Sequence, residues 1–129
     1  MSKIIGIGTD IIEIKRIADA LKKNERFARK ILGEQEYLIW QGRKQNIAFL
    51  AKRFAAKEAF SKALKTGFRG ILTWHDIQIL PHKNGLGAPE FTFNNNVLNY
   101  IEKNDYLCHV SLSDERKYAI AYVIVEKQS

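Results

Sequence analysis

Residues 49–63 read FLAKRFAAKEAFSKA, and their spacing predicts the long central helix of the fold. One side of this helix, continued back to residue 47, consists of Ile47, Leu50, Ala51, Phe54, Glu58 and Ser61. Glu58 is the only charged side chain in the middle of that apolar stripe. Burying an ionised carboxylate is costly unless a cation or a metal ion satisfies it. The pattern therefore marks Glu58 as a candidate site residue.

A second acid, Asp10, interrupts the apolar run IIGIGTDIIEI at residues 4–14. Gly6, Gly8 and Asp10 alternate onto one face of a predicted strand, which leaves room beside Asp10 for a ligand or another backbone. Two acids in apolar segments far apart in sequence suggest one shared site for a hard cation. Two carboxylates are a typical protein contribution to a Mg²⁺ site, where waters and substrate phosphate complete the coordination.

Each acid also has an ordinary structural explanation. Asp10 could cap the helix that follows, because Glu13 stands three residues later as in a capping box. Glu58 could pair with Lys62, which lies one helical turn further on. Position alone leaves these alternatives open, and it is the joint occurrence of both acids that favours a metal site.

Cations flank the acid on the predicted central helix. Arg53 and Lys57 lie one turn apart on a neighbouring edge, and Lys62 lies on the other flank of Glu58. Taken singly, each is more typical of a solvated basic face. Together they would suit a polyphosphate ligand, because charge-assisted hydrogen bonds to phosphate are strong. The chain has neither a Walker-type loop nor a GxGxxG motif, so neither standard nucleotide loop is predicted.

Hydrophobic periodicity and turn residues predict an α+β domain, with an antiparallel sheet packed against one long helix. Helices are predicted at 12–23, 35–41, 45–65 and 97–103. Strands are predicted at 3–7, 77–80, 91–93, 107–112 and 118–125, and the last two form a hairpin across 113–117. A chain of 129 residues can enclose one modest core, so we expect residues 1–129 to form a single domain.

The composition limits the classes of function. The net charge is +7, which favours acidic partners such as nucleic acid, phosphate esters, anionic lipid or an acidic protein. No apolar run reaches the roughly 18 residues of a membrane span, and the N-terminus lacks a signal-peptide cleavage region. We therefore expect a cytoplasmic protein with no membrane partner. The single cysteine, Cys108, excludes an internal disulfide.

Four motifs together resemble a known family. They are GIGTDIIEIKRI at 6–17, FLAKRFAAKEAFSKAL at 49–64, HVSLSDE at 109–115 and AIAYVIVE at 119–126. In this order and spacing they resemble the holo-[acyl-carrier-protein] synthase family, the small, single-domain type of 4'-phosphopantetheinyl transferase. The resemblance covers essentially the whole chain, and its first two motifs are long enough to be specific.

The resemblance implies a Mg²⁺-dependent transferase that supports fatty acid biosynthesis. Such an enzyme moves 4'-phosphopantetheine from coenzyme A to a serine of apo acyl carrier protein and releases adenosine 3',5'-bisphosphate. The family has an α+β fold and assembles as a homotrimer with active sites at the subunit interfaces. The attacking serine belongs to the acidic carrier protein, so this chain needs no nucleophile of its own.

The family's functional residues carry over onto matching positions of this sequence. The resemblance makes Asp10 and Glu58 the Mg²⁺ ligands, and Glu58, or a water that it holds, our choice for the base. Lys62 would add a fixed positive charge. The full set implied to contact coenzyme A is Arg53, Lys62 and Gly67, and the set implied to dock the carrier protein is Arg16, Arg26 and Phe27.

This sequence departs from the family's pattern near the expected nucleotide site. Many members have His at the position of Asp114, and an acid there would not bind phosphate, so Asp114 is left out of the coenzyme A set. Lys65 replaces a glycine common at the turn that contains Gly67. The effect of both departures on nucleotide binding is open at this point.

Two other classes of function compete with the transferase. A nucleic-acid-binding module would interleave basic residues with exposed aromatics for stacking, whereas Phe49, Phe54 and Phe60 lie in the central helix and are expected in the core. We therefore expect no nucleic-acid partner. A non-catalytic adaptor for an acidic protein would leave Asp10 and Glu58 unexplained.

Overall fold

The computed structural model describes residues 2–66, 70–82 and 88–128 of the chain. In chain order, the elements are β1 (Ser2–Glu13), α1 (Ile14–Lys23), α2 (Phe27–Ile31), α3 (Glu34–Gly42), α4 (Ile47–Ala63), a 3₁₀ turn (Trp74–Asp76), β2 (Ile77–Leu80), β3 (Glu90–Phe93), α5 (Asn95–Lys103), β4 (Tyr106–Asp114) and β5 (Tyr118–Gln128).

Helix α4 packs against one face of an antiparallel sheet whose strand order is β1-β5-β4. The side chains of β5 that face this helix are fully buried, and they are Ala119, Ala121, Val123 and Val125. Strands β2 and β3 form a separate antiparallel pair. The α+β prediction, with a sheet packed against one long helix, is confirmed.

Two glycines of β1 allow the helix to lie directly on the strand. A Cβ atom at Gly6 would collide with the backbone carbonyl of Ala63, and a Cβ at Gly8 would collide with that of Ala59. The space predicted beside Asp10 is therefore occupied by another backbone, that of α4. This close approach brings the C-terminal half of α4 against Asp10.

The first strand is longer than the sequence predicted. It continues to Glu13, and α1 begins at Ile14 rather than at residue 12. Pairing with β5 extends it, since Asp10 lies opposite Ala121 and residues on both sides of Asp10 are also paired. Asp10 lies inside this strand, so the alternative in which it caps α1 is wrong. The N-cap residue is Glu13, whose side chain makes no capping hydrogen bond.

The remaining boundaries follow the sequence closely. Strand β2 matches its predicted range, and α4 lies inside the predicted helix at 45–65, where the Asn46 side chain caps its N-terminus by accepting from the Phe49 N–H at 2.8 Å. Helix α2 and the 3₁₀ turn were not predicted, because segments this short show no clear periodicity. Within the described ranges, no helix has both the length and the apolar character needed to cross a bilayer.

Helix α4 is buried on more sides than its predicted apolar stripe. The side chains of Phe49 and Phe60 lie in the core, as expected, but Arg53 and Lys57 are buried as well. Glu58, the charged side chain of the apolar stripe, is only half-buried, whereas Lys57 outside that stripe is fully buried. A solvated basic face, the ordinary reading of Arg53 and Lys57, is excluded by the same burial.

Candidate functional site

Asp10 and the C-terminal half of α4 meet at one edge of the sheet. The Lys62 ammonium donates hydrogen bonds to the Asp10 Oδ1 atom and to the Thr9 carbonyl, each at 3.0 Å. The Asp10 side chain is 17% exposed and that of Lys62 is 54% exposed. The ion pair of Lys62 is thus with Asp10 across the helix–strand contact, and not with Glu58 one turn earlier on α4.

Glu58 belongs to the same cluster. Burial raises the pKa of its carboxyl group above the ordinary 4.5, the negative charge of Asp10 raises that pKa further, and Lys62 partly offsets both effects. The influence of Asp10 shows that the two carboxylates lie close enough to repel each other. The structure therefore brings together the two acids that the sequence marked as partners.

The cluster leaves oxygen atoms available to a ligand. Among the described residues, the Glu58 carboxylate has no hydrogen bond or ion pair, and Asp10 uses only Oδ1 in its pair with Lys62. No third acid, histidine or cysteine of the described ranges joins the two acids to form a larger metal-ligating group. Two half-buried carboxylates with free oxygens and an adjacent, movable ammonium could hold a hard cation together with an anionic substrate.

Arg53 lies apart from this cluster. Its Nε–H donates to the Ile79 carbonyl at 3.1 Å, and its guanidinium lies over the Phe49 ring at 4.0 Å. Burial lowers the pKa of Arg53 to about 10, which the negative charge of Glu36 only partly opposes and the positive charge of Arg43 reinforces. No carboxylate of the described residues lies within ion-pair distance of Arg53, so its buried charge has no direct ion pair and is only partly balanced by Glu36.

The predicted docking residues lie along α1 and α2. Arg16 is exposed on α1, and Arg26 is exposed immediately before α2. Phe27 is half-buried, because its ring packs 6.2 Å from that of Phe54, which in turn stacks on Trp74 at 5.4 Å. The two arginines are therefore available at the surface, and Phe27 serves the packing of α2 as well.

Two positions near the expected nucleotide site have different outcomes. Gly67 lies outside the described residues. Asp114, at the end of β4, forms an ion pair with Lys52 of α4 at 2.9 Å. Asp114, an acid where many family members have histidine, thus has a cationic partner within the chain.

Sequence reasoning missed a buried ion pair next to the cluster. The Lys57 ammonium contacts the Glu36 carboxylate at 2.6 Å, and both side chains are 0% exposed. Burial lowers the pKa of Lys57, and Glu36 opposes that effect. A signal was present, because alanines and phenylalanine surround Lys57 along a helix without a polar face, so its ammonium needed a buried anion. Nothing in the sequence identified Glu36 as that anion.

Comparisons with known proteins agree on one family. The family model described as the 4'-phosphopantetheinyl transferase superfamily matches residues 6–123. The holo-[acyl-carrier-protein] synthase of Aliivibrio fischeri strain MJ11 is 46% identical over 125 residues, which cover 95% of this chain and 98% of that protein.

Solved structures give the same result. The crystal structure of holo-[acyl-carrier-protein] synthase from Neisseria meningitidis matches with a TM-score of 0.89 at 40% identity, covering 96% of this chain and 99% of that chain. The holo-(acyl-carrier-protein) synthase from Bacillus anthracis str. Ames, in complex with CoA (3',5'-ADP), matches with a TM-score of 0.81 at 35% identity. The match covers 97% of this chain and 98% of that chain.

Proposed function

The chain belongs to the 4'-phosphopantetheinyl transferase superfamily, and on this premise we propose that it transfers 4'-phosphopantetheine from coenzyme A to a serine of apo acyl carrier protein. The observation that carries the proposal is the meeting of Asp10, Glu58 and Lys62, which come from β1 and α4. Coenzyme A as the donor is supported by its presence in the Bacillus anthracis relative.

The acidic pair fits a bound Mg²⁺ ion. Both candidate ligands are carboxylates, the hard oxygen donors that Mg²⁺ prefers, and their mutual repulsion would be relieved by a cation between them. Asp10 and Glu58 would hold the ion through the oxygens that Lys62 leaves free. When bound, Mg²⁺ would neutralise charge that develops on the pyrophosphate oxygens of coenzyme A.

The chain's own residues then have separate roles in the transfer. The carrier serine Oγ forms a bond to the phosphorus next to pantetheine, and the bond from that phosphorus to the bridging oxygen breaks, so adenosine 3',5'-bisphosphate leaves. Lys62 turns from Asp10 to the pyrophosphate, which its half-exposed side chain permits, and lowers the energy of the developing charge. Glu58, or a water that it holds, accepts the serine proton.

Arg53 is assigned to a phosphate of coenzyme A. Its buried guanidinium has a hydrogen bond and a ring contact but no anion among the described residues, so a phosphate would supply the missing charge. Gly67 is assigned to the turn below the nucleotide on the family resemblance alone.

The exposed cations suit an acidic protein partner. Arg16 on α1, together with Arg26 and Phe27 at the start of α2, is proposed to contact the carrier. The net charge of +7 would steer an acidic protein to this surface and raise the association rate. A place in the cytoplasm, a role in fatty acid biosynthesis and a single domain over residues 1–129 are parts of the same proposal.

The outer face of the three-stranded sheet supports assembly into a homotrimer. Large apolar side chains there are 38–60% exposed, namely Ile4, Ile7, Ile11, Leu107, Ile120 and Tyr122. Monomeric proteins rarely expose an apolar patch of this kind, and a closed cyclic assembly would cover it.

One assay tests the reaction and the assembly. Purified protein is incubated with coenzyme A, an apo acyl carrier protein and Mg²⁺, and the carrier is analysed by mass spectrometry. The proposal expects Mg²⁺-dependent addition of phosphopantetheine to the carrier serine and release of adenosine 3',5'-bisphosphate. No transfer to any apo carrier would contradict the function. Sedimentation of the same preparation as a fully active monomer would contradict the homotrimer.

A further inference from the structure

Lys57 and Glu58 are neighbours in sequence but face different parts of the molecule. Successive side chains of an α-helix point about 100° apart, so Glu58 can face Asp10 while Lys57 points into the core. The Lys57 ammonium donates to Glu36 Oε1 at 2.6 Å, to the Ile31 carbonyl at 2.6 Å and to the Trp74 carbonyl at 2.9 Å. These bonds use all three donors of the ammonium.

Glu36 extends this network on the other side of the ion pair. Its Oε1 atom also accepts from the Gly33 N–H at 2.9 Å, and its Oε2 atom accepts from the Ile79 N–H at 2.8 Å. The pair therefore ties α4 to α3, β2, the 3₁₀ turn and the last residue of α2. Every buried side-chain N or O atom of the described residues has a partner, so the network is complete.

Helix α2 is the shortest α-helix that this network touches. It has five residues, and a helix of that length is not stable without tertiary contacts. At its N-terminal end, the Phe27 ring packs on Phe54 of α4. At its C-terminal end, the Ile31 carbonyl accepts a hydrogen bond from Lys57, which also belongs to α4. Both ends of α2 are thus fastened to α4, which also carries Glu58.

We propose that Lys57 is a positioning residue for the carrier protein, because it holds α2, with Arg26 and Phe27, in a set position relative to Glu58. This inference rests on the proposed function. A carrier docked on α1 and α2 presents its serine to the Asp10–Glu58–Lys62 cluster, so a shift of α2 would misplace the serine. Coenzyme A binding does not require α2 in this arrangement and should be unaffected.

The test replaces both charges of the pair by neutral groups of similar size. In the double variant Glu36→Gln, Lys57→Met, neither member of the pair is left as a buried charge, so the fold should persist. We expect its KM for the carrier to rise about tenfold, the equivalent of about 1.4 kcal/mol. Its KM for coenzyme A should change much less, because the proposed phosphate contact of Arg53 loses only the longer-range charge of Glu36. Amide hydrogen exchange at residues 27–31 should become faster. The matched control is Lys52→Met, which breaks the ion pair with Asp114 on the same helix and should alter neither the carrier KM nor that exchange.

A folded double variant with an unchanged carrier KM would overturn the inference. Equal changes in the two KM values would also overturn it, because they would indicate a general effect on the enzyme. Absence of turnover in the unmodified protein is a different result, since it would reject the proposed function itself.

A second variant covers the case in which the double variant does not fold. Phe54→Leu weakens the ring contact between Phe27 of α2 and α4 without disturbing a buried charge. We expect the same selective rise in the carrier KM, together with faster exchange at residues 27–31. Faster exchange with an unchanged carrier KM would show that the position of α2 does not matter for docking, and would overturn the inference.

Discussion

Two of the lysine–acid pairs of helix α4, Lys57–Glu36 and Lys62–Asp10, differ in almost every physical respect. Lys57 and Glu36 are 0% exposed, 2.6 Å apart and surrounded by further hydrogen-bond partners. Lys62 and Asp10 are 3.0 Å apart, partly exposed, and adjacent to a second acid with free oxygens. The buried pair is closed, because its bonds are all used within the chain. The exposed pair is open, because its members can exchange one partner for a ligand, and the comparison therefore separates a structural pair from a reactive one.

Removing either acid at the open pair, Asp10 itself or the adjacent Glu58, should have the largest effect on activity. We expect Asp10→Ala and Glu58→Ala each to lower kcat by about a thousandfold or more, because each removes a proposed Mg²⁺ ligand next to the reacting phosphate. Circular dichroism should show an unchanged fold. Near-normal Mg²⁺-dependent turnover of either variant would mean that its residue is not a ligand.

Replacing the lysine of each pair should lower the free energy of unfolding by different amounts. Lys57→Met leaves the buried Glu36 carboxylate without its cation and should lower the free energy of unfolding by about 3–5 kcal/mol. Lys62→Met leaves a partly exposed acid and should lower it by less than about 1 kcal/mol. Urea unfolding of both variants measures the difference. Equal losses would mean that burial does not distinguish the two pairs.

An exposed cation away from both pairs sharpens the comparison. We expect Arg16→Glu to leave the free energy of unfolding and the coenzyme A affinity almost unchanged while weakening carrier binding about tenfold, since it reverses a charge on the proposed docking surface. Titration calorimetry with each ligand measures this. A matching loss of coenzyme A affinity would contradict separate docking and nucleotide surfaces.

The smallest effect concerns the dependence of stability on pH. The folded-state pKa of Glu58 is raised, so without metal its contribution to stability is fully present below the ordinary pKa of 4.5 and is lost as pH rises through the folded-state value. Glu58→Gln should therefore make the melting temperature depend less on pH above 4.5. Glu102→Gln, on the exposed face of α5, should leave that dependence unchanged. Mg²⁺ should reverse the loss in the unmodified protein. Identical pH profiles for unmodified protein and Glu58→Gln would refute this.

Agreement between sequence and structure is best where a local pattern suffices. The range of β2, the long α4 and the β4–β5 hairpin follow from periodicity and turn residues alone. The five-residue α2 was missed because a segment this short shows no clear periodicity, and its contacts with α4 are visible only in the folded chain. The first strand was predicted too short, since its second half is defined by pairing with β5.

The site was partly predictable for the same reason. Asp10 and Glu58 could be marked because each interrupts an apolar segment, and a charge in such a place needs a partner. The partner of Lys62 could not be assigned, since Glu58 one turn away is the local choice and Asp10 the actual one. The environment of Arg53 and its lack of an anion are visible only when Phe49 and Ile79 are seen around it.

The sequence by itself determined the fold class, the family and the two acids of the site, because these depend on local periodicity and on motifs with a characteristic order. The tertiary structure decided which charges are paired and which are open. Gly6 and Gly8 let α4 touch β1, and that contact placed Lys62 on Asp10. The same helix turned Lys57 toward Glu36 in the core. Pairing between distant segments depends on distances in the folded chain, which no local pattern of residues contains.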